Sequence, residues 1–183
     1  RPTAKNLARL DRTTTEPAGQ QIGRHMKLFL PLILATCFSF SAAADPVVKV
    51  IYFTADWCAN CRAFEPILED ALDTFPDGDI ERVDIDLTRS TQRFSDEERR
   101  ATWRGAFDTA MAHDVAYLVD WFGNRTGIAV VVAADNGEPI NCLQRPLDAN
   151  QVTGRLREAM IFSRRRAPGT RMPDGPECPA PTR

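Results

Sequence analysis

Apolar positions along the chain follow two rhythms in turn. Residues 47–54 are a nearly unbroken apolar and β-branched run, the pattern of a strand buried on both faces. Phe64, Ile67, Leu68, Ala71, Leu72 and Phe75 then recur at three- and four-residue spacings. They predict an amphipathic helix from near Cys58 to about Phe75, stopped by Pro76, Asp77 and Gly78. Residues 80–87 alternate apolar and charged through Val83, Ile85 and Leu87, which predicts a second strand. Ser95 and Glu98 form a capping box that opens a helical stretch. Trp103, Phe107, Ala110 and Met111 mark one face of it, continued by Val115, Leu118 and Phe122. One helix over 96–122 would be about 40 Å long, so a break is expected near His113 and Asp114. Trp103, Phe107 and Phe122 are expected in the core, and His113 at the surface. Residues 127–134 and 137–143 read as an antiparallel hairpin closed by Asp135, Asn136 and Gly137. Asp148 and Gln151 cap a last helix striped by Val152, Leu156, Ala159 and Met160. The order βα, β, helical segment, ββα predicts an α/β domain with a central mixed sheet flanked by helices.

The amino-terminal part lies outside this pattern. Residues 1–25 are polar and Arg- and Thr-rich, with no periodicity to bury, and read as upstream sequence or an extended, unstructured leader. Met26 and Lys27 then precede an apolar run over 28–40 and the small residues Ser41, Ala42, Ala43 and Ala44. A charged start, a short apolar core and a small-residue end are the parts of a secretory signal peptide. Residues 26–44 are expected to be removed by cleavage near Ala44, leaving a periplasmic or secreted protein. A membrane anchor is the alternative, but the run is shorter than the ~20 residues a spanning helix needs. Leu34, Ala35, Thr36 and Cys37 loosely resemble a lipoprotein cleavage box, against which stand Thr36 before the cysteine and the apolar run beyond it. The expected organisation is thus one domain over 45–163, followed by a Pro- and Arg-rich tail over 164–183 that is expected to be disordered.

Composition narrows the chemistry. The net charge of −2 gives no electrostatic footprint for nucleic acid, and no basic stripe interleaved with aromatics follows the leader. Of the five cysteines, Cys37 falls in the leader, leaving Cys58, Cys61, Cys142 and Cys178. Four thiols allow three pairings, and export places them where disulfides persist. The close spacing favours Cys58 with Cys61. Cys142 and Cys178 are left to form a structural bridge that pins the tail, or to remain two thiols.

Trp57-Cys58-Ala59-Asn60-Cys61 stands where a strand turns directly into a helix. This puts Cys58 at the helix amino terminus, where free backbone N–H groups and the positive end of the macrodipole stabilise a thiolate and lower its pKa below the free value of ~8.5. Cys58 is the expected nucleophile. Cys61, one turn on and on the same face, is placed to attack a mixed disulfide at Cys58 and so to resolve it. The competing reading of a lone C-x-x-C is half a structural zinc site, which needs four ligands. The chain holds no second C-x-x-C and only His25 and His113, so no metal site and no cofactor are expected.

The segment from Ala55 to Leu68, ADWCANCRAFEPIL, resembles the active-site segment of the thioredoxin superfamily, with Pro66 where that family kinks its active-site helix. Residues 127–138, GIAVVVAADNGE, align without gaps with the family's later loop, strand and turn. The resemblance covers about residues 47–162 and implies a thioredoxin fold and thiol–disulfide exchange. It further implies that Trp57, Ile128 and Ala129 meet the substrate. Three positions depart from the family pattern. Ala129 stands where the family carries a cis-proline; a cis bond before a non-proline residue costs ~3 kcal/mol, so a trans loop of different shape is expected. Tyr52 stands where thioredoxins place a buried aspartate beneath the resolving cysteine, leaving Asp56 and Glu65 as substitute proton acceptors or as solvated carboxylates. The helical segment 95–123, before the Ala129 loop, is longer than in thioredoxin and can select partners or act as scaffold.

These features lead to the expectation of a thiol–disulfide oxidoreductase acting on exported proteins, recycled by a membrane redox partner. The Ala59-Asn60 pair and the wider Ala-Asp-Trp-Cys string, which resembles the periplasmic domain of membrane thiol-reducing transporters, tilt it toward reductase. The alternatives are a module holding a soft ion such as Cu(I) between two thiolates, and a non-catalytic binding domain.

Overall fold

The computed structural model describes residues 45–171 and 178–180. The expected leader and its cleavage point at Ala44 lie outside the described residues. The elements are β1 (Val48–Thr54), α1 (Ala59–Leu72), β2 (Ile80–Asp86), a 3₁₀ turn (Thr88–Ser90), α2 (Asp96–Ala112), α3 (Tyr117–Phe122), β3 (Ile128–Ala133), β4 (Pro139–Gln144) and α4 (Ala149–Arg165). The sheet runs β2-β1-β3-β4, with β1 parallel to β2, and β3 antiparallel to both β1 and β4. This is the α/β thioredoxin fold that the sequence predicts.

Period-two alternation in the strands divides the interior into two cores. Val48, Val50 and Tyr52 of β1, with Ala129, Val131 and Ala133 of β3, face α1 and α4. Ile51 and Phe53, with Ile128, Val130 and Val132, face α2 and α3. Among the described residues no helix is long and apolar enough to cross a membrane.

The expected start signals form as capping boxes. The Ser95 side chain accepts from the Glu98 amide while the Glu98 carboxylate accepts from the Ser95 amide, and Asp148 and Gln151 repeat the exchange at α4. The expected break after His113 is made by Asp114, whose φ of 62° is left-handed. Gly137 closes the β3–β4 hairpin at φ +69°, and a Cβ there would stand 2.5 Å from the Asp114 carbonyl oxygen. Only glycine lets the hairpin sit against that break.

Three expectations are corrected. Phe122 is buried, but Trp103 and Phe107 are 37% and 42% exposed. α2 turns the small side chains of Ala106 and Ala110 to the sheet, and its aromatic residues lie to the side. The presumed Ala129 loop is the beginning of β3: alanine keeps the N–H and the free φ that proline lacks, so the ladder starts earlier. The boundary at Ser163 also shifts. α4 runs to Arg165, and the residues after it are held to the domain. Glu138 accepts from the amides of Gly169 (2.7 Å) and Arg171 (2.6 Å), and the buried Arg171 guanidinium donates to Asp135 (2.5 Å) and to the Arg166 carbonyl (2.9 Å). Beyond the residues not described, Cys178 is bonded to Cys142 with a Cα–Cα distance of 5.0 Å. Over residues 166–171 the β3–β4 turn supplies two carboxylates that hold the chain.

Candidate functional site

β1 ends at Thr54 and the chain turns through Ala55, Asp56 and Trp57 into α1. Thr88, just after β2, holds this turn: its hydroxyl accepts from the Asp56 amide (3.0 Å) and its carbonyl accepts from the Trp57 indole N–H (2.9 Å). Thr88 is fixed in turn by Asp86, whose carboxylate accepts from its amide and its hydroxyl (2.8 and 2.5 Å). The Arg62 guanidinium donates to the Asp56 carbonyl (2.7 Å). Trp57 stands at the rim of the site, 37% exposed.

Cys58 is the N-cap of α1, with extended backbone at φ −82° and ψ 108°. Its sulfur accepts the Cys61 amide at 3.0 Å, so it takes the place an oxygen side chain fills at most caps. Cys58 and Cys61 are joined by a disulfide with their Cα atoms 5.2 Å apart. Cys58 is 6% exposed and Cys61 2% exposed, so the first residue of the pair is the less buried.

Beneath the pair, Tyr52 is fully buried and tilted against Phe64, and its hydroxyl donates to the Cys61 carbonyl at 3.3 Å. Burial, reinforced by the negative charge of Glu65, pushes the phenol up to about 12. Tyr52 therefore stays neutral and acts as a hydrogen-bond donor, not as a base. Pro66, inside α1, has no N–H for the preceding turn, and the phenol supplies a donor beside that interruption. Arg82 lies 5.4 Å from the centre of the Tyr52 ring and bonds Glu65 of α1 and Asp84 of β2. Burial opposes the charge on Arg82, but these two carboxylates hold it protonated. Glu65 thus ties α1 to β2 through Arg82.

Gly127, just before β3, lies against the turn between the two cysteines. Its φ is +78°, and a Cβ there would lie 3.1 Å from the Asn60 Cβ and 3.4 Å from the Cys61 amide nitrogen. The expected contact residues behave differently. Ala129 shares the core with Cys58 and Cys61, whereas Ile128 packs on the opposite face with Phe53 and Phe122. They are 0% and 2% exposed, so both side chains are buried. Strand alternation turns consecutive residues to opposite faces and hides both. The cis peptide among the described residues is Arg145–Pro146, and the bond before Ala129 is trans. Thr88 and Gly127 were not singled out as site residues, because only sheet pairing brings them to the motif. The glycine preceding an apolar run was the one local signal. Among the described residues no group of three or more His, Cys, Asp or Glu side chains is arranged to hold a metal ion.

The Thioredoxin family model matches residues 37–101. A "Disulfide bond formation protein" of Brevibacillus choshinensis is 34% identical over 56 residues, 31% of this chain and 48% of that protein. Mitochondrial thioredoxin O of Oryza sativa subsp. japonica is 28% identical over 100 residues, 52% of this chain and 53% of that protein. The chain thus spans about half the length of these relatives. Among solved structures, StoA from Bacillus subtilis aligns over 61% of this chain and 83% of its own, with 16% identity and a TM-score of 0.38. A thioredoxin-related protein from Neisseria meningitidis serogroup B aligns over 67% and 88%, with 13% identity and a TM-score of 0.38. The family model runs through a Trp-Cys-x-x-Cys that caps the first helix, beside a sheet ordered β2-β1-β3-β4, and over this segment the chain is similar to the thioredoxin superfamily.

Proposed function

We propose that the protein is a thiol–disulfide oxidoreductase acting on exported proteins, working as a reductase through Cys58 and Cys61. The observation that carries this reading is the place of Cys58: its sulfur caps α1 and accepts the Cys61 amide at 3.0 Å. The same N–H and the aligned peptide dipoles of α1 stabilise negative charge on that sulfur once the disulfide is opened.

In the reduced protein the Cys58 thiolate attacks one sulfur of a substrate disulfide, forms a mixed disulfide and expels the other substrate sulfur as a thiolate. Cys61, deprotonated by solvent because Tyr52 offers no base, then attacks the Cys58 sulfur and expels the second substrate thiolate. Two electrons pass to the substrate, and the protein is left with the Cys58–Cys61 disulfide seen in the structure. A membrane dithiol donor resets the pair. Trp57 at the rim contributes the exposed surface beside Cys58.

Export is supported by the leader-like segment 26–44 and by the Cys142–Cys178 disulfide, a bond that persists in oxidising compartments. Exchange is tested with Cys58→Ser, which is expected to abolish reduction of a model disulfide; activity retained in this variant would sink the reading. Direction is tested by the reduction potential. A value near ~−270 mV fits a reductase, and one near ~−120 mV would make the protein an oxidant that installs disulfides.

A further inference from the structure

We propose that the Cys142–Cys178 disulfide and Arg125 position the segment that backs the Cys58–Cys61 pair, so that the second disulfide tunes the first. The inference rests on thiol–disulfide exchange at Cys58 and Cys61.

The route begins at β4, where Cys142 pairs with Val130 of β3 on the face covered by α2 and α3. Its bond to Cys178 holds residues 178–180 on that face, where Cys178 packs against the same core. Two residues further, the Ala180 carbonyl accepts from the Arg125 guanidinium at 3.5 Å. Arg125 lies in the connection between α3 and β3. Its amide donates to the Phe122 carbonyl (2.8 Å), and its buried Nε has no partner. At the other end of this connection the Gly127 amide donates to the Phe53 carbonyl (2.8 Å), and Gly127 lies against Asn60 and the Cys61 amide. Residues 123–127 therefore carry the segment 178–180 on one side and the turn between the two cysteines on the other.

The packing seen here is that of the disulfide form. Opening Cys58–Cys61 parts the sulfurs from bonding distance to van der Waals separation and shifts the turn at Asn60, against which Gly127 rests. A connection held by Arg125 and the Cys178 anchor favours the oxidised geometry; a released one does not. Coupling between two equilibria is reciprocal, so the Cys142–Cys178 bond strengthens the Cys58–Cys61 bond and is strengthened by it. Opening Cys142–Cys178 consumes two electrons and two protons, supplied by a dithiol reductant.

The test equilibrates the full chain in glutathione buffers and counts labelled thiols at each pair by mass spectrometry of its peptides. Removing the anchor with the double substitution Cys142→Ser and Cys178→Ser is expected to shift the Cys58–Cys61 equilibrium constant at least threefold toward the dithiol. Arg125→Met is expected to shift it in the same direction, while Arg125→Lys, which keeps a donor for the Ala180 carbonyl, restores the wild-type constant. A constant unchanged in Arg125→Met overturns the proposal, and does so even where the double variant fails to fold. Exchange that proceeds with one constant in every variant removes this inference alone. Absence of exchange at Cys58 in the wild-type chain removes the oxidoreductase reading and this inference with it.

Discussion

The amide of Cys61 points at the sulfur of Cys58 across 3.0 Å, so in the proposed exchange the residue that resolves the mixed disulfide also helps to charge the nucleophile. Cys61→Ser removes the resolving thiol and keeps this backbone donor. The variant is expected to attack a substrate disulfide at Cys58 and to stop there. A mixed disulfide that accumulates on a non-reducing gel, and is released by dithiothreitol, is the outcome to look for.

Gly127→Ala asks for a side chain where the backbone is left-handed and Asn60 is 3.1 Å away. The conformation alone costs about 1–2 kcal/mol for an L-residue. The contact adds to this unless Asn60 gives way. Urea denaturation is expected to show a lower midpoint with an unchanged slope. The exchange rate at Cys58 should fall with it, because the turn between the cysteines moves.

Alkali should weaken the fold through its buried tyrosines. Burial first, and Glu65 second, push Tyr52 up to about 12, against an unfolded value of ~10. Between those values the folded state holds a proton that the unfolded state releases. Stability is then full below about pH 10 and is lost as pH rises toward about 12. Tyr117, raised by burial and by Glu138, adds in the same direction. Thermal unfolding across this range should show a shallower alkaline loss in Tyr52→Phe than in the wild type.

Acid should act on the clamp around Arg171. Asp135 is held below the usual carboxylate range by its hydrogen bond to Arg171. Burial alone would raise Glu138, but the amides of Gly169 and Arg171, with the Asn136 side chain and the Arg171 charge, outweigh it and lower the group. Depressed carboxylates contribute stability that is complete above their unfolded values, 3.8 for Asp135 and 4.5 for Glu138, and is lost as pH falls through the folded ones. Protection of the Gly169 and Arg171 amides against hydrogen exchange, taken relative to the unfolded chain at the same pH, should fall across that window, and Glu138→Gln should lower it at neutral pH.

Much of the architecture was legible one segment at a time. The strands at β1 and β3, the helix opening at Cys58, both capping boxes and the break near Asp114 all rest on signals a few residues long. The α2 face was misread because periodicity gives a helix an apolar side without saying which part of that side meets the sheet. Close approach selected Ala106 and Ala110 over Trp103 and Phe107. The contacts that hold residues 169, 171 and 178 were not legible because composition carries no information about partners, and Glu138, Asp135 and Cys142 lie far back in the chain.

The sequence by itself determined that a Cys-x-x-Cys pair begins a helix after a buried strand. Spacing, capping and hydrophobic period are properties of neighbours along the chain, and they survive whatever the remainder does. Only the tertiary structure decided what surrounds that pair: the Tyr52 phenol under Cys61, Thr88 holding Trp57, and Gly127 against Asn60. Each of these contacts depends on strand pairing and on which face of the sheet a residue takes, and a one-residue change of register would reverse the faces of all of them.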